Sequence, residues 1–329
     1  MPPLIPHSRP SIAEADVAAV AAQMRTGMIA EGATAASFES RLAARYGFDA
    51  AIAVGSGCQA MFLALTTLGL PTSARVALPA YVCPEVLGVV EAFGVVPLIA
   101  DVGADFLLDM DDPALRAADA VVAPALFGFA LTQRHAEGNL LIADFAHYVP
   151  HFEERPAFDL AFVSFGATKM LTAGEGGAVL VNGVARIEAA RAAKRVSGSA
   201  LKLNLYPMSD LAAALGLAQL DRLEEMLARR RLIADRYAAA IRRPLSRATT
   251  PFRVLVEVDD VDAAITAFAA RGVAARRPVD PTADQIRPQT RAFPVTARLH
   301  ARTLSLPCHP SLSDAEVDAV VDAARAILT

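Results

Sequence analysis

Short apolar runs of strand length recur along this chain, each followed by a turn and a helical stretch, and this alternation restricts the fold most. Residues 50–54 form the first run, and VALP at 76–79, VVPLIADV at 95–102, DAVVAPALFG at 119–128 and NLLIADFAH at 139–147 follow. AFVSFG at 161–166 and GGAVLVNG at 176–183 add two more, read as antiparallel to one another. Apolar runs separated by helices predict a mainly parallel sheet covered on both faces. A ligand site of such a sheet lies outside the carboxyl ends of its strands.

The intervening helices carry their own signals. Ser11 with Glu14 three residues on reads as a capping box opening a helix that Gly27 ends. A helix over 34–46 places Phe38, Leu42 and Tyr46 on one face. A helical tract over 210–242 leads to a strand at 252–258, a helix at 260–272, a strand at 303–307 and a closing helix with a capping box at Ser313 and Glu316. That order predicts a large domain over 1–225 and a small C-terminal α/β domain over 226–329, with the helical tract crossing the boundary.

With 54% hydrophobic and 20% charged residues the chain is not disordered. A net charge of -4 leaves no footprint for nucleic acid. Arg229, Arg230 and Arg231 read as a solvated or partner-facing helix surface. Three cysteines and six histidines show no paired metal spacing, which predicts no metal site and no disulfide framework. The start shows no basic-then-apolar leader and no apolar run is long enough for a membrane, so a cytoplasmic globular protein is expected.

Chemistry concentrates at the ends of the predicted strands. GSG at 55–57 joins a strand to a helix N-terminus, where free backbone amides can hold an anion, although the same pattern serves in any tight strand–helix turn. Asp144 follows an apolar strand directly, a place where a carboxylate is costly unless it caps a turn or meets a cation such as a protonated pyridine nitrogen. His147 can orient such a ring or be an ordinary turn histidine. Lys169 sits between an apolar strand and a glycine-rich return, so it either reaches solvent or stands near a reactive carbonyl, as Schiff-base chemistry requires. Ser164, five residues upstream, can donate to a phosphate.

Taken in order, these segments resemble the DegT-type sugar aminotransferases, members of the fold-type I, aspartate-aminotransferase-like group of pyridoxal-phosphate enzymes. The resemblance spans nearly the whole chain, through residues 27–47, VGSGCQAMFLAL at 54–65, IADFAHY at 142–148, SFGATKMLTAGEGGAVLVN at 164–182, 203–223 and 304–320. It implies a large, mainly parallel seven-stranded sheet domain with a small C-terminal α/β domain. It also implies pyridoxal 5'-phosphate as cofactor, with Lys169 as Schiff-base lysine and proton shuttle and Asp144 as partner of the pyridine nitrogen. Phosphate would be held by Ser164 with the turn at Gly57 and Cys58, and Tyr81 would belong to the aromatic region stacking over the ring. Asn204 would reach the phosphate in a neighbouring subunit, which makes the protein a homodimer.

Cys58 stands where the family commonly has threonine, and His147 where glutamine is usual. The region 242–298, which normally shapes the sugar-nucleotide side, is condensed, and Arg276 and Arg277 there are candidates for an acidic donor or a diphosphate. The implied reaction moves an amino group from an amino acid, glutamate by family analogy, to a keto-sugar nucleotide or related keto intermediate of specialised biosynthesis. The competing reading is a pyridoxal-phosphate lyase, dehydratase or decarboxylase acting on a smaller amino compound.

Overall fold

The computed structural model describes residues 4–131, 139–150, 158–197, 202–204, 206–243, 245–246 and 248–328. Helices α1 (Glu14–Arg25) and α2 (Ala33–Tyr46) precede β1 (Ala50–Val54), α3 (Gly57–Thr67), β2 (Arg75–Pro79), α4 (Pro84–Phe93) and β3 (Val96–Ala100). Strands β4 (Ala120–Pro124), β5 (Leu140–Asp144), β6 (Leu160–Ser164) and β7 (Gly177–Val181) complete the principal sheet. Its order is β1-β7-β6-β5-β4-β2-β3. Strand β7 pairs antiparallel with β1 and β6, and the remaining pairings are parallel. The expected mainly parallel seven-stranded sheet, with its antiparallel return, is what the chain forms.

Alternation along each strand feeds two cores. Ile52, Val54, Val76, Leu78, Val122 and Ile142 face one, covered by α3, α4 and α5 (Val184–Lys194). Ala51, Ala53, Ala77, Ala123, Ala143 and Ala161 face the other, and these small side chains leave room for Phe38, Tyr46, Phe145 and Phe165. That second face is closed by α2 and α6 (Asp210–Asp221). The Asp210 carboxylate accepts from Gly32 N at 2.8 Å and Ala35 N at 2.9 Å, so it caps α2 from across the core.

Helix α1 corrects the sequence expectation. It starts at Glu14 with Asp16, not Glu14, reaching back to Ala13 N at 2.8 Å. The Ser11 carbonyl instead accepts from Gln219 Nε2, and the fully buried Asp16 is paired with Arg222 at 2.7 Å. A tertiary partner on α6 has displaced the local cap.

After a hairpin of β8 (Arg195–Ser197) and β9 (Lys202–Asn204), the tract over 210–242 breaks at Arg222 into α6 and α7 (Leu223–Ala240). Helix α7 gives Leu223, Met226 and Leu227 to the main core, and Ile233 and Tyr237 to a further one. The latter lies on an antiparallel sheet of β10 (Leu245–Ser246), β11 (Val254–Glu257) and β12 (Thr303–Leu306). Helices α8 (Val261–Ala270) and α11 (Asp314–Ile327) pack against it, whereas α9 (Ala283–Ile286) packs on α4 and α10 (Pro294–Arg302) gives Leu299 to the main core. The capping box of α11 at Ser313 and Glu316 is present as expected. Among the described residues no helix is long and apolar enough to cross a membrane.

Candidate active site

The carboxyl ends of β5 and β6 open onto a cavity of about 320 Å³. Asp144 and Ser164 are the last residues of those two strands, and both line it. Lys169 reaches it from the 165–176 loop, which is tied shut by Phe165 N to Gly176 O at 2.8 Å and Ala173 N to Phe165 O at 2.9 Å. Phe165, Met170 and Leu171 anchor the loop in the core, which leaves the lysine directed at the cavity.

The N-terminus of α3 forms the floor. Ser56 caps it, its Oγ accepting from Gln59 N at 3.1 Å, and Gly57 and Cys58 follow along the cavity wall. A Cβ on Gly57 would lie 2.7 Å from Ser164 Cβ and 2.8 Å from its Oγ. Glycine is therefore what lets the serine hydroxyl and the helix N-terminus share one space, an arrangement suited to a phosphate.

Asp144 is 8% exposed, and its Oδ1 accepts from Ala146 N at 2.8 Å. Burial raises its pKa to about 6, against the opposing pull of that N–H and of Lys169. A carboxyl whose folded-state pKa is raised stabilises the fold while protonated and loses that contribution as pH climbs from 3.8 to about 6. The ligand-free protein should therefore lose roughly 3 kcal/mol across this window. Asp144→Asn, which cannot ionise, should match the parent near the lower end and melt at higher temperature above the upper end. Thermal melts across the two conditions check this, and equal melting temperatures on the alkaline side would contradict it.

His147 Nε2 lies 3.1 Å from Lys169 Nζ. Burial first, then Lys169, Arg253 and Arg230, hold His147 well below its ordinary pKa, so the ring is neutral and Nε2 accepts from the lysine. Nδ1 has no hydrogen-bond partner among the described residues.

The structure thus brings together Gly57, Cys58, Asp144, His147, Ser164 and Lys169. Tyr81 is a correction: it is fully buried, against Phe106 and Phe127, and it does not line the cavity. Its neighbours Ala80 and Val82 face the α4 side, so alternation sends Tyr81 to the opposite core, and Val82 and Cys83 form the wall instead. Asn204 is exposed at the end of β9, with Nδ2 donating to Glu31 at 2.7 Å, outside the cavity of its own chain. Arg277 is paired with Asp262 of α8 at 2.5 Å and does not line the cavity. Arg230 also departs from expectation, being 2% exposed rather than solvated. Cys83, Glu85 and Glu175 line the cavity without having been singled out from the sequence, although Glu175 lies in the glycine-rich return after Lys169. Among the described residues no group of three or more His, Cys, Asp or Glu side chains is placed to hold a metal.

The model of the DegT/DnrJ/EryC1/StrS aminotransferase family matches residues 10–119 and 154–325. The chain belongs to this family. Spore coat polysaccharide biosynthesis protein SpsC of Bacillus subtilis (strain 168) is 28% identical over 383 aligned positions, covering 98% of this chain and 97% of SpsC. DesI, solved in the presence of its TDP-sugar product, superposes with a TM-score of 0.87 at 26% identity, covering 98% of this chain and 92% of DesI. Spr1654 of Streptococcus pneumoniae in its PLP form superposes at 0.86, with 22% identity over 99% of this chain and 100% of that one, and is also solved in a PMP form. Within the DegT/DnrJ/EryC1/StrS family, then, this member has the fold-type I architecture, with a large mixed sheet and a smaller domain.

Proposed function

We propose that this protein is a pyridoxal-phosphate-dependent aminotransferase that moves an amino group from an amino acid, glutamate in the first instance, to a keto-sugar nucleotide or related keto intermediate. The observation that carries the reading is the meeting in one cavity of a buried carboxylate, a lysine amine held by a neutral histidine, and a helix N-terminus facing a serine hydroxyl. The residues fit the cofactor. Asp144 is a buried carboxylate whose raised pKa a cationic ring nitrogen would reverse, and the space beside Gly57 is one that a Cβ would fill. Bound there, pyridoxal phosphate supplies an electron sink conjugated to the substrate nitrogen.

The chain's own groups divide the remaining work. Ser164 and the amides at Gly57 and Cys58 would hold the phosphate, and Asp144 would keep the proton on the ring nitrogen. Lys169, the lysine lining the cavity, would be the covalent anchor for the cofactor and, with its amine free, the general base that holds and returns a proton there. His147 holds the amine of Lys169 in place through Nε2.

The solved forms of Spr1654 and the sugar product of DesI support the cofactor and the acceptor class. We further propose a homodimer in which Asn204 of each copy leaves Glu31 and reaches the phosphate in the other. The exposed Val17, Met24, Met28 and Ile29 on α1 and the turn after it would be covered in that assembly. Free Cys58, Cys83 and Cys308 fit a reducing compartment, the cytoplasm.

Gly57→Ala tests the phosphate cradle. Overpacking of this kind costs about 1–3 kcal/mol, so the Kd for pyridoxal phosphate should rise about 10–100-fold. Equilibrium dialysis reads it, and an unchanged Kd would place the phosphate elsewhere. For the reaction itself, the loaded enzyme is given glutamate without acceptor. Conversion of the cofactor to its amine form, with one 2-oxoglutarate released per site, supports the reading. A keto product formed repeatedly without accumulation of the amine form would instead indicate a lyase.

A further inference from the structure

His147 must present one nitrogen to Lys169, yet among the described residues nothing bonds the other. Histidines at reactive centres are ordinarily oriented by a hydrogen bond at the second ring nitrogen. Here the ring is held by stacking. Phe252 lies parallel to it with centroids 4.1 Å apart and planes at 16°, and Phe127 lies 5.9 Å away at 25°. One backbone junction delivers both phenylalanines: Phe252 N donates to Phe127 O at 3.0 Å and Thr250 N to Gly128 O at 3.1 Å. The junction is tight. Phe127 has a φ of 57°, a left-handed conformation that a bulky residue adopts only when its surroundings impose it. A Cβ on Gly128 would lie 1.8 Å from Thr250 O.

Behind Phe252 stand two buried arginines. Its carbonyl accepts from Arg230 Nη1 at 3.2 Å and from Arg253 Nη1 at 3.1 Å, and the Arg253 guanidinium lies 3.9 Å from the ring centroid. Arg230 and Arg253 are 2% and 9% exposed. Neither forms an ion pair among the described residues; Arg253 is otherwise held by Ser8 and Arg230 by the Cys308 carbonyl. Burying two guanidinium groups without a carboxylate opposes folding, and what the pair accomplishes is to fix both the backbone and the face of Phe252.

We propose that Phe252, pinned by Arg230 and Arg253, is the positioning residue that turns His147 Nε2 toward Lys169, replacing the hydrogen bond that Nδ1 does not make. The consequence for catalysis rests on the role given above to Lys169, whereas the orientation of His147 does not. The charges around the ring act in the same direction: Lys169, Arg253 and Arg230 all favour its neutral form, so Nε2 remains an acceptor.

Phe252→Leu keeps an apolar side chain but removes the stacking face, and Phe252→Tyr restores it. The first reading is taken on cofactor-free protein by nitrogen-15 NMR of the histidine rings. The parent and Phe252→Tyr should show His147 as a single neutral tautomer protonated at Nδ1, and Phe252→Leu should show tautomer exchange and a titration moved up toward ordinary histidine. The second reading is kinetic: kcat of Phe252→Leu should fall about 10–100-fold, as for a misplacement of an ångström, with KM for the donor within about threefold. Phe252→Tyr should recover kcat to within about threefold of the parent. Arg253→Met, which removes the guanidinium from the ring, is read in the same two ways should Phe252→Leu not fold. An unchanged His147 spectrum in these variants, or equal loss of kcat in Phe252→Leu and Phe252→Tyr, overturns the proposal. If the parent proves inactive with every donor while the spectra respond as expected, the clamp stands and the aminotransferase reading fails.

Discussion

Replacing Lys169 with alanine should cut amino transfer by roughly 10⁴-fold or more, because it removes a general base and a covalent anchor together. Among the described residues none stands in for it. The chain has three lysines, Lys169, Lys194 and Lys202. Lys194 is 5% exposed and paired with Glu31 at 2.7 Å beyond the cavity. Lys202 lies in β9, and among the described residues lining the cavity Lys169 is the only lysine or arginine. The phosphate cradle is untouched by the substitution, so Lys169→Ala should still bind pyridoxal phosphate, now noncovalently. Added small amines should restore part of the proton transfer, since they can occupy the space of the missing side chain. Single-turnover rates with glutamate check the loss, and a variant retaining a tenth of the parent rate would show that the base lies elsewhere.

The second large effect belongs to Asp144. Asp144→Asn should lower kcat/KM by about 10²–10³, the scale seen when one preorganised electrostatic partner is removed from a reacting centre. An amide cannot balance a protonated ring nitrogen, so the ring loses its strength as an electron sink. Stability should move the other way. The same substitution relieves a carboxylate buried at the end of β5, so the ligand-free variant is sturdier at neutral pH while the loaded one is slower. That opposition separates an electrostatic role from a structural one. Asp144→Asn with kcat/KM within about threefold of the parent would remove the ring nitrogen from its list of partners.

Much of this site was legible in the sequence because its parts sit at strand ends. Asp144 and Ser164 close β5 and β6, and an apolar run stopped by a polar residue marks the rim of a parallel sheet. Lys169 lay between an apolar strand and a glycine-rich return, which the folded loop bears out. Tyr81 departs from the expectation because the alternation of Ala80 and Val82 continues beyond the end of β2 and turns it into the core of Phe106 and Phe127. Ser11 carried a sound local capping pattern, but Gln219 took its carbonyl from 208 residues away. Arg230 looked like one of three surface arginines, and its burial depends on carbonyls of Phe252 and Cys308 that meet only after folding. Helix α10 escaped notice for a similar reason: its N-terminus is held by Asp101, which accepts from Val295 N and Thr296 N at 3.0 Å each. Local signals located the strands and their terminal residues, whereas partners drawn from distant segments decided the exceptions.

The most direct measurement traps the cofactor on the chain. The protein is incubated with pyridoxal phosphate, reduced with borohydride, digested and mapped by mass spectrometry. One pyridoxyl group per chain on the peptide containing Lys169 is the expected result. Stoichiometric labelling of Lys194 or Lys202 instead, or no label despite saturating cofactor, would contradict the site described here.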